Sequence, residues 1–466
     1  MIVVDRGRQD SFARLSGDFS PLHVDDAHAR RSQFGNRVVH GVHLVLLALE
    51  QLAEPGAWRI DTLDAQFRSA VLVDEPIEFL TETLASGERR VTVRVGGVAR
   101  STVVVRLVPG RTDPTVPAAP TIGDTTAATL SFAEAAAVSG RTWSGFDHEL
   151  ARRMFPGLAS CSAVDLGAIL AATRVVGMRC PGERALFRRL RWERADPVPH
   201  VVDGAAGDEV EFHVATADPR FALLTIAIAT ADLRLTAEVI VREPPPAQPS
   251  LADVRLVVDP GSFAGWRAVV VGGSRGLGEL AAKVLVAGGA DVVVTFRSGS
   301  VEADAVVAEL GPAASAVQYD ALAPTEAGRA ALIAGAPTHL LHFASPSIPK
   351  RPAGSWDPAL FADFVGVYVT GLSELLSLFD SSGALQGVLY PSSTYVDERP
   401  GGFAEYAAAK AMAEELGAAW SRLRPGQRVV TPRFPPLVTD QTAARLGSDT
   451  SGNIGVVADA VKSLLD

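Results

Sequence analysis

A glycine-rich loop between an apolar strand and a helix restricts the possible folds of this 466-residue chain more than any other feature. The loop reads Gly272-Gly-Ser-Arg-Gly-Leu-Gly278 and directly follows the apolar stretch Arg267-Ala-Val-Val-Val271. Further apolar strands alternate with helical segments after it, near residues 292–296, 340–343, 388–390 and 429–431. This alternation predicts an α/β domain with a doubly wound parallel sheet, for which we take the bounds 262–466.

Two more pieces precede this segment, and each contains one long apolar helix followed by strands. Residues 1–108 contain a predicted helix at Val38–Leu52, and residues 130–243 contain one at Ala163–Val176. Linkers rich in Pro, Thr and Ala, at Val108–Thr129 and Glu243–Pro249, separate the three pieces. The predicted strands are Leu63–Val71, Ile77–Leu84, Arg90–Leu107, Leu186–Trp192, Glu209–Ala215 and Leu223–Val241. The repeated order predicts a duplicated α+β unit and a chain of three domains.

Composition narrows the class of protein. Hydrophobic residues make up 47% of the chain and charged residues 21%, as in a globular protein, and the formal net charge of −10 argues against a nucleic-acid partner. The opening MIVVDRGRQDSF lacks the order of a secretion signal, and no uninterrupted apolar run approaches a membrane span. We therefore expect a cytoplasmic protein. Cys161 and Cys180 have no metal-ligand spacing, so we expect buried thiols and no metal.

The glycine loop predicts a dinucleotide site. Its backbone N–H groups and the start of the next helix can receive a pyrophosphate. The following strand, Asp291–Arg297, ends on Arg297 rather than on an acid, which favours a 2′-phosphate and therefore NADP(H). Arg275 adds a second cation, and Asp320 is placed where it could cap the adenine. The predicted cofactor-binding residues are Gly272, Ser274, Arg275, Gly276, Leu277, Gly278, Arg297, Asp320, Tyr406, Lys410 and Thr439.

Three residues near the C-terminus have the spacing of a proton-transfer site. Tyr406 and Lys410 are four residues apart and therefore lie on one face of a helix. An ammonium group beside a phenol favours the phenolate and should lower the phenol pKa. Ser393, thirteen residues before Tyr406, can hydrogen-bond the same substrate oxygen. Together these groups can protonate an alkoxide that forms when a hydride attacks a carbonyl.

From Trp266 to the C-terminus, these motifs resemble the short-chain dehydrogenase/reductase family, and most closely its 3-ketoacyl-thioester reductases. The resemblance implies that Tyr406 is the general acid, that Lys410 binds the nicotinamide ribose and that Ser393 orients the substrate. Three segments depart from the family pattern. Its N-N-A-G strand end reads His342-Phe-Ala-Ser345, its Pro-Gly reads Pro435-Pro436, and its helix Asn is replaced by Tyr368, which puts the family's proton relay in doubt.

An acid and an imidazole lie close together near the N-terminus. Asp18 and His23 are separated by Ser20 and Pro21, and Gly17 precedes them, which favours a loop or short turn. Such a pair can hold one water and move its protons during addition to, or elimination from, a double bond beside a thioester. Gly41, at the start of the apolar helix, offers a backbone N–H to the enolate oxygen.

Over Asp10 to Leu107, this segment resembles the MaoC-like (R)-specific enoyl-thioester hydratases and dehydratases of the hotdog fold. Their signature is approximately S-G-D-x-N-P-x-H-x-D followed by a His-Gly pair, and Ser20 replaces the usual Asn. The resemblance implies that Asp18 and His23 are catalytic and that Gly41 holds the oxyanion position. The second piece resembles a degenerate hotdog that completes the fold, with Phe155-Pro156-Gly157 near the position of the His-Gly pair. The predicted fold is therefore an α+β double hotdog followed by an α/β Rossmann-like sheet.

Both chemistries act at C3 of an acyl thioester, so the sequence predicts a bifunctional ketoreductase and dehydratase in fatty-acid-like or polyketide-like synthesis. Two alternatives remain open: a degradative hydratase and dehydrogenase acting on CoA esters, and an acyl-binding accessory protein with one or both sites silent. The expected partner is an acyl thioester on a carrier protein or CoA, and we also expect a homodimer or homotetramer. Arg188, Arg189 and Arg191 can dock an acidic carrier or form a solvated outer sheet face.

Overall fold

The fold is described from a computed structural model, which covers residues 1–53, 56–110, 123, 125–194, 209–230, 233–349, 354–443, 447 and 449–465. The chain divides into two compact units, Met1–Pro244 and Pro245–Asp466. The boundary between them falls inside the predicted linker Glu243–Pro249. Most of the other predicted linker, Val108–Thr129, lies outside the described residues.

The N-terminal unit combines one long antiparallel sheet with helices. Its strands are β1 (Ile2–Val3), β2 (Trp58–Phe67), β3 (Pro76–Thr83), β4 (Arg89–Val95), β5 (Val98–Pro109), β6 (Ser139–Trp143), β7 (Ala185–Arg194), β8 (Glu209–Asp218), β9 (Leu223–Ala229) and β10 (Leu233–Val241). Its helices are α1 (Arg6–Ser16), α2 (Pro21–Val24), α3 (Asp26–Arg30), α4 (Gly41–Glu50), α5 (Phe132–Ala135), α6 (His148–Met154) and α7 (Ala163–Arg174). A 3-10 turn at Pro156–Ser160 precedes α7, and a π turn at Val175–Arg179 follows it.

The order of the strands shows the duplication. The sheet runs β1-β3-β4-β5-β2-β7-β10-β9-β8-β6, so that the series β3-β4-β5-β2 is repeated in reverse by β7-β10-β9-β8. The two halves meet where β2 pairs antiparallel with β7. The apolar helices α4 and α7 pack against the sheet in one continuous core with both halves. This arrangement confirms the predicted double hotdog.

Several elements differ in extent from the sequence prediction. The predicted strand Arg90–Leu107 is a hairpin of β4 and β5, because Gly96 and Gly97 turn the chain with φ of 55° and 76°. Leu223–Val241 is likewise the hairpin of β9 and β10. Helix α4 begins at Gly41, three residues later than predicted, with His40 as its N-cap. The Gly-Gly pair is a turn signal that the strand periodicity obscures.

A buried carboxylate joins the two halves near this junction. Asp165, in the first turn of α7, accepts a hydrogen bond at 2.7 Å from the backbone N–H of Ile60 on β2. Arg194, on β7, donates to both Asp165 carboxylate oxygens at 2.8 Å. Arg194 also donates to the Ile60 carbonyl at 2.9 Å, at the point where the β2 register shifts. The Asp165 side chain is 1% exposed, so its charge depends on these partners.

The C-terminal unit contains a six-stranded parallel sheet with helices. Its strands are β11 (Arg267–Val271), β12 (Asp291–Phe296), β13 (Ala314–Gln318), β14 (His339–His342), β15 (Gly387–Leu389), β16 (Ser392–Ser393), β17 (Arg428–Val430) and β18 (Arg433–Phe434). Its helices are α8 (Leu251–Arg255), α9 (Gly276–Ala287), α10 (Ser300–Leu310), α11 (Glu326–Ile333), α12 (Pro358–Val365), α13 (Gly371–Ser381), α14 (Tyr395–Glu398), α15 (Ala404–Leu423) and Asn453–Lys462. A 3-10 turn at Gly311–Ala313 follows α10, and a π turn at Gly366–Thr370 joins α12 to α13.

The main sheet runs β13-β12-β11-β14-β15-β17, and β16 pairs separately with β18. The strand order reverses between β11 and β14, as it does in doubly wound sheets that bind a ligand at this switch point. This order confirms the predicted Rossmann-like fold.

One helical run in this unit, Pro358–Ser381, is long and apolar enough by length and composition to cross a membrane. Its apolar side chains Phe364, Tyr368, Leu372, Leu376 and Phe379 are buried against the parallel sheet. The run is therefore the core helix of this unit. In the other unit Cys161 and Cys180 are buried, as predicted.

The Asp165 junction leads to a stability prediction. We expect Asp165→Ala to lower the free energy of unfolding by about 3 kcal/mol, because the change leaves a buried N–H and a partly buried guanidinium without their acceptor. The matched control is Glu82→Ala, which removes the exposed pair with Arg90 and should change stability by less than about 1 kcal/mol. Urea unfolding of the full chain measures both variants. Equal small losses would contradict a structural role for Asp165.

Candidate functional site

In the N-terminal unit, the three predicted site residues lie in one cavity. Asp18, His23 and Gly41 all line a cavity of about 680 Å³, whose wall includes residues of both halves. The side-chain ligand atoms of Asp18, His23 and His40 lie within 4.8 Å of one another. The residues of the sequence motif therefore lie close together in the folded protein.

Local chemistry places Asp18 outside the preceding helix. Helix α1 ends at Gly17, which has the left-handed φ of 70°, and the Asp18 N–H donates to the Ser16 hydroxyl at 3.2 Å. The chain then enters the four-residue helix α2, which begins with Pro21 and contains His23. This agrees with the predicted loop or short turn.

Both Asp18 carboxylate oxygens accept hydrogen bonds. The Ser20 N–H donates to Oδ1 at 3.1 Å, and the Thr173 hydroxyl donates to Oδ2 at 2.6 Å. Burial raises the pKa of Asp18, while the attraction of His23 is the largest opposing cause. Ser20 acts here through its backbone, so the replacement of the family's Asn leaves this contact possible.

Hydrogen bonding defines the tautomer of His23. Its Nδ1 lies 2.6 Å from the Val38 carbonyl and donates to it, so Nε2 is the basic nitrogen of the neutral ring. Burial lowers the pKa of His23, which favours that neutral form. The His40 ring stacks on His23 with centroids 3.9 Å apart, and its Nε2 donates to the Asp18 carbonyl at 3.0 Å.

Gly41 begins the ten-residue helix α4, and no side chain projects from it into the cavity. A Cβ atom at Gly41 would lie 3.1 Å from the Phe67 ring, so a larger residue would press on the cavity wall. The free N–H groups of the first turn lie at the positive end of the helix dipole. An oxyanion formed in the cavity can bind there.

The second half contributes residues that the sequence did not point to. Thr173 is the penultimate residue of α7, and Gly177 lies in the π turn that follows. Neither lies in a motif, and only the fold brings them to Asp18. One prediction about this half is wrong: Phe155-Pro156-Gly157 enters a 3-10 turn, whereas the counterpart of His40 and Gly41 is Ser162 and Ala163 at the start of α7.

The predicted dinucleotide loop has the close backbone packing that requires glycine. Gly272 has a φ of 80°, and a Cβ atom there would lie 2.7 Å from the backbone of Ala344. A Cβ atom at Gly278 would lie 2.2 Å from the Gly272 carbonyl. Gly276, with a φ of 60°, begins α9 and faces open space. Ser274 and Leu277 lie beside it and are partly exposed, so a phosphate can approach this helix end.

The two predicted cationic residues differ in their surroundings. Arg275 forms an ion pair with Asp440 at 2.6 Å, whereas Arg297 is exposed at the end of β12. The Asp320 carboxylate accepts from the Leu322 N–H at 2.9 Å. Thr439 directly precedes Asp440, and its N–H donates to the Thr442 hydroxyl at 2.9 Å. The sequence did not point to Asp440.

Ser393, Tyr406 and Lys410 come together between β16 and α15. Ser393 is buried, and its hydroxyl accepts from the Tyr395 N–H at 3.2 Å. Burial raises the pKa of Tyr406 to about 12, although a hydrogen bond with Ser393 acts in the opposite direction. The expected lowering by Lys410 is therefore not seen. Burial lowers the pKa of Lys410 itself to about 7, so this amine is only partly charged near neutral pH.

Aromatic rings surround the Lys410 amine. Its Nζ donates to the Pro391 carbonyl at 2.7 Å and lies 4.2 Å from the centroid of the Tyr368 ring and 4.4 Å from that of Tyr390. Tyr368, in the π turn, shares a hydrogen bond of 2.6 Å with the Ser345 hydroxyl. Two of the departures from the family pattern, Ser345 and Tyr368, are therefore partners of each other.

The chain is similar to known proteins of two kinds. Residues 3–105 match the MaoC like domain family. No curated protein matches the chain. Among solved structures, a short chain dehydrogenase/reductase family protein is 25% identical, covering 44% of this chain and 90% of its own, with a TM-score of 0.38. A short chain dehydrogenase from Burkholderia cenocepacia in complex with NADP is 22% identical; the match covers 43% of this chain and 91% of that one, with a TM-score of 0.37. A 3-hydroxyacyl-CoA dehydrogenase type-2 from Mycobacterium avium is 21% identical; the match covers 42% of this chain and 90% of that one, with a TM-score of 0.38. Residues 3–105 are thus similar to the MaoC like domain family, and the C-terminal unit has the Rossmann-like parallel sheet described above.

Proposed function

We propose that the chain is a bifunctional enzyme acting at C3 of acyl thioesters, with a dehydratase or hydratase site in the N-terminal unit and an NADP(H)-dependent ketoreductase site in the C-terminal unit. The observation that carries the proposal is the Asp18–His23 pair, which lines one cavity with the start of α4. The cluster of Ser393, Tyr406 and Lys410, in which the Lys410 amine lies 5.8 Å from the centroid of the Tyr406 ring, supports the reductase half. The two reactions share the 3-hydroxyacyl thioester.

In the dehydration direction, His23 and Asp18 divide the proton transfers. His23 Nε2 takes the proton from C2, and the electron pair of the broken C–H bond forms the double bond as the C3 hydroxyl leaves. Asp18 gives its proton to that hydroxyl, which departs as water. Burial supports these starting states, because it raises the pKa of Asp18 and lowers that of His23. The N–H groups that begin α4 stabilise the negative charge on the thioester oxygen.

The C-terminal unit fits a nicotinamide dinucleotide. Gly272 and Gly278 allow the close turn, and Gly276 leaves open space for a phosphate at the start of α9. A bound NADPH supplies the hydride that reduces a C3 ketone. Tyr406 then gives its hydroxyl proton to the carbonyl oxygen, Ser393 holds that oxygen, and the Lys410 amine lies on the same face of α15. Arg297 is the exposed cation for the 2′-phosphate.

Two observations favour the alternative of a silent reductase site. Burial holds the pKa of Tyr406 at about 12, and Tyr368 occupies the position of the family's relay Asn. A degradative enzyme acting on CoA esters is the other alternative. A preference for NAD and for oxidation of 3-hydroxyacyl-CoA would distinguish it from the synthetic enzyme.

We predict that the two activities separate by mutation. Tyr406→Phe should reduce NADPH oxidation by at least about a hundredfold, because the proton donor is lost, and should leave elimination of water from a 3-hydroxyacyl thioester unchanged. His23→Ala or Asp18→Asn should do the reverse and let the 3-hydroxy product accumulate. Mass spectrometry of products from 3-ketoacyl thioesters on CoA and on a carrier protein measures both steps.

The variants serve as controls for one another, since each changes one unit only. Loss of both activities in Tyr406→Phe would contradict the proposal of two independent sites. Undiminished enoyl product in His23→Ala would show that the Asp18–His23 pair is not the elimination site.

The ion pair of Arg275 gives a prediction about the cofactor. Asp440 competes with a 2′-phosphate for this guanidinium, so Asp440→Asn should tighten NADPH binding about threefold to fivefold and leave the Kd for NADH unchanged. Arg297→Asp should instead weaken NADPH and favour NADH. Cofactor fluorescence titration measures each Kd without turnover. Equal changes for both cofactors in Asp440→Asn would assign Asp440 to the loop structure rather than to cofactor choice.

We also propose that the acyl group arrives on a carrier protein or CoA, and that basic residues at the cavity recognise this phosphate-bearing group. Arg188 is the extra residue of a β-bulge, because Glu238 pairs with Arg189 while Val239 pairs with Phe187. A bulge re-aims a side chain, and Arg188 is exposed and lines the cavity of Asp18 together with Arg68. Arg189 is bound to Asp64 at 2.7 Å, whereas the nearest carboxylate oxygen to Arg188 among the described residues, on Glu238, is 4.0 Å away. Of the predicted arginines, Arg188 is therefore the best docking candidate.

Arg188→Ala should raise the KM for a carrier-bound or CoA-bound substrate about fivefold and leave a short thioester mimic unchanged, and the difference should shrink as salt rises. Arg191→Ala is the matched control, since Arg191 is an exposed residue of the same strand that does not line the cavity. Steady-state kinetics at two salt concentrations measures these effects. An equal rise in KM for the mimic would contradict phosphate recognition.

We propose in addition that the chain acts in the cytoplasm as a homodimer or homotetramer. The formal net charge of −10 supports the first proposal. Exposed apolar side chains on α15, including Met412 and Leu423, support self-association.

A further inference from the structure

The second half of the N-terminal unit contains no Asp/His motif, yet it surrounds the Asp18 side chain. The Thr173 hydroxyl donates to Asp18 Oδ2 at 2.6 Å, and this is a contact between residues 155 positions apart. The π turn that follows α7 also contacts this region, because the Phe19 N–H lies 3.1 Å from Sδ of Met178. The end of α7 and its π turn therefore form one wall of the Asp18 pocket.

The π turn allows an unusually close approach. A Cβ atom at Gly177 would lie 2.1 Å from Asp18 Oδ1 and 2.5 Å from Oδ2, so only glycine leaves room for the carboxylate. A π turn widens the helix locally by one residue and is frequent at functional sites. Packing at Gly177 and hydrogen bonding at Thr173 thus restrain the same carboxylate.

A buried cation lies beside these groups. Arg174 is 3% exposed, and its guanidinium carbon lies 3.0 Å from the centroid of the Trp143 ring. A Cβ atom at Gly17 would lie 2.7 Å from Arg174 Nε, so the glycine that ends α1 also makes room for this cation. Arg174 attracts the negative charge of Asp18 and favours its ionised form.

We propose that Thr173 is a positioning residue for the dehydratase reaction. It holds the Asp18 carboxylate in place and, with Arg174, sets how strongly the Asp18–His23 pair binds its shared proton. This inference rests on the proposed function and deepens it. The second half is therefore a working part of the active site, although it carries no acid–base pair of its own.

The proton balance shows what Thr173 controls. Among the residues that the structure describes, three titratable or charged groups face Asp18, namely His23 on α2, His40 at the start of α4 and Arg174 on α7. The pair must carry one proton to react in either direction, because elimination takes one from C2 and gives one to the hydroxyl. Activity should therefore rise and fall with pH in a bell shape that belongs to the pair. A hydroxyl that donates to the Asp18 carboxylate stabilises the ionised form, and its loss must strengthen proton binding.

The test compares Thr173→Val, which keeps the shape and removes the donor, with Thr173→Ser, which keeps the donor. In Thr173→Val, one limb of the pH profile of kcat/KM for dehydration should move upward by about one pH unit, and Thr173→Ser should restore the original profile. Movement of the alkaline limb would place the shared proton on Asp18, and movement of the acid limb would place it on His23. Both results support the proposal.

The matched control is Thr142→Val. Thr142 is a buried threonine of the second half whose hydroxyl has no hydrogen-bond partner among the described residues. This variant should leave both limbs in place. A Thr173→Val enzyme with a lower rate at every pH and unmoved limbs would overturn the proposal and leave Thr173 a packing residue.

A second measurement does not depend on activity and separates this inference from the proposed function. Since Thr173→Val raises the pKa of Asp18 in the folded state only, its cost in stability should be small at low pH and should grow as pH rises through the pKa of Asp18 in the folded protein. Denaturant unfolding of the full chain at several pH values measures the difference from wild type. A difference that does not change with pH would overturn the inference even if the enzyme is active. If wild type lacks activity while the difference grows with pH, the proposed function fails and the control of Asp18 by Thr173 stands.

Gly177→Ala tests the packing part of the same proposal. The added methyl group must displace the Asp18 carboxylate, so kcat should fall at least tenfold while KM changes little. Unchanged kcat would show that the π turn does not position Asp18.

Discussion

The pairing of β2 with β7 is the contact on which the N-terminal unit depends. It turns two hotdog-like halves into one sheet, with Leu63 opposite Trp192 and Gln66 opposite Arg189. The ion pair between Asp64 and Arg189 crosses this junction, and Asp165 with Arg194 bonds to its end. Because the pairing sets where each half places its helix, it brings the end of α7 against Asp18. The register of β2 against β7 thus accounts for the cavity wall formed by α7, for the restrained Asp18 carboxylate and for the buried Arg174 side chain.

Burial has opposite consequences at the two sites. In the N-terminal unit it raises the pKa of Asp18 and lowers that of His23, which favours a protonated acid and a neutral base. Those are the forms from which the proposed elimination starts. In the C-terminal unit it raises the pKa of Tyr406 and lowers that of Lys410, which leaves less ammonium charge to favour a phenolate. The same physical cause supports the first reaction and opposes ionisation in the second.

The departures of the C-terminal unit from the pattern of short-chain dehydrogenases/reductases are coupled. Tyr368 replaces the helix Asn and bonds to Ser345, which replaces the last glycine of the N-N-A-G segment. The larger ring then lies against the Lys410 amine, together with Tyr390. Cation–π attraction partly replaces the water that would otherwise solvate this amine. A hydroxyl pair and an aromatic cage thus stand where the short-chain dehydrogenase/reductase pattern places its relay.

Local chemistry in the sequence was enough to predict both folds and to pick out candidate site residues that the structure brings together. A glycine loop after a strand, an i to i+4 Tyr–Lys spacing and an Asp–His segment broken by Gly17 and Pro21 each act within a short stretch of chain. The hairpin at Gly96 was not predicted, because apolar and polar residues continue to alternate through both of its strands. Contacts between distant residues, such as Thr173 with Asp18 and Arg275 with Asp440, had no sequence signal. The tertiary structure alone decided them, and with them the pKa of each buried group, since strand pairing and burial depend on parts of the chain that no local pattern connects.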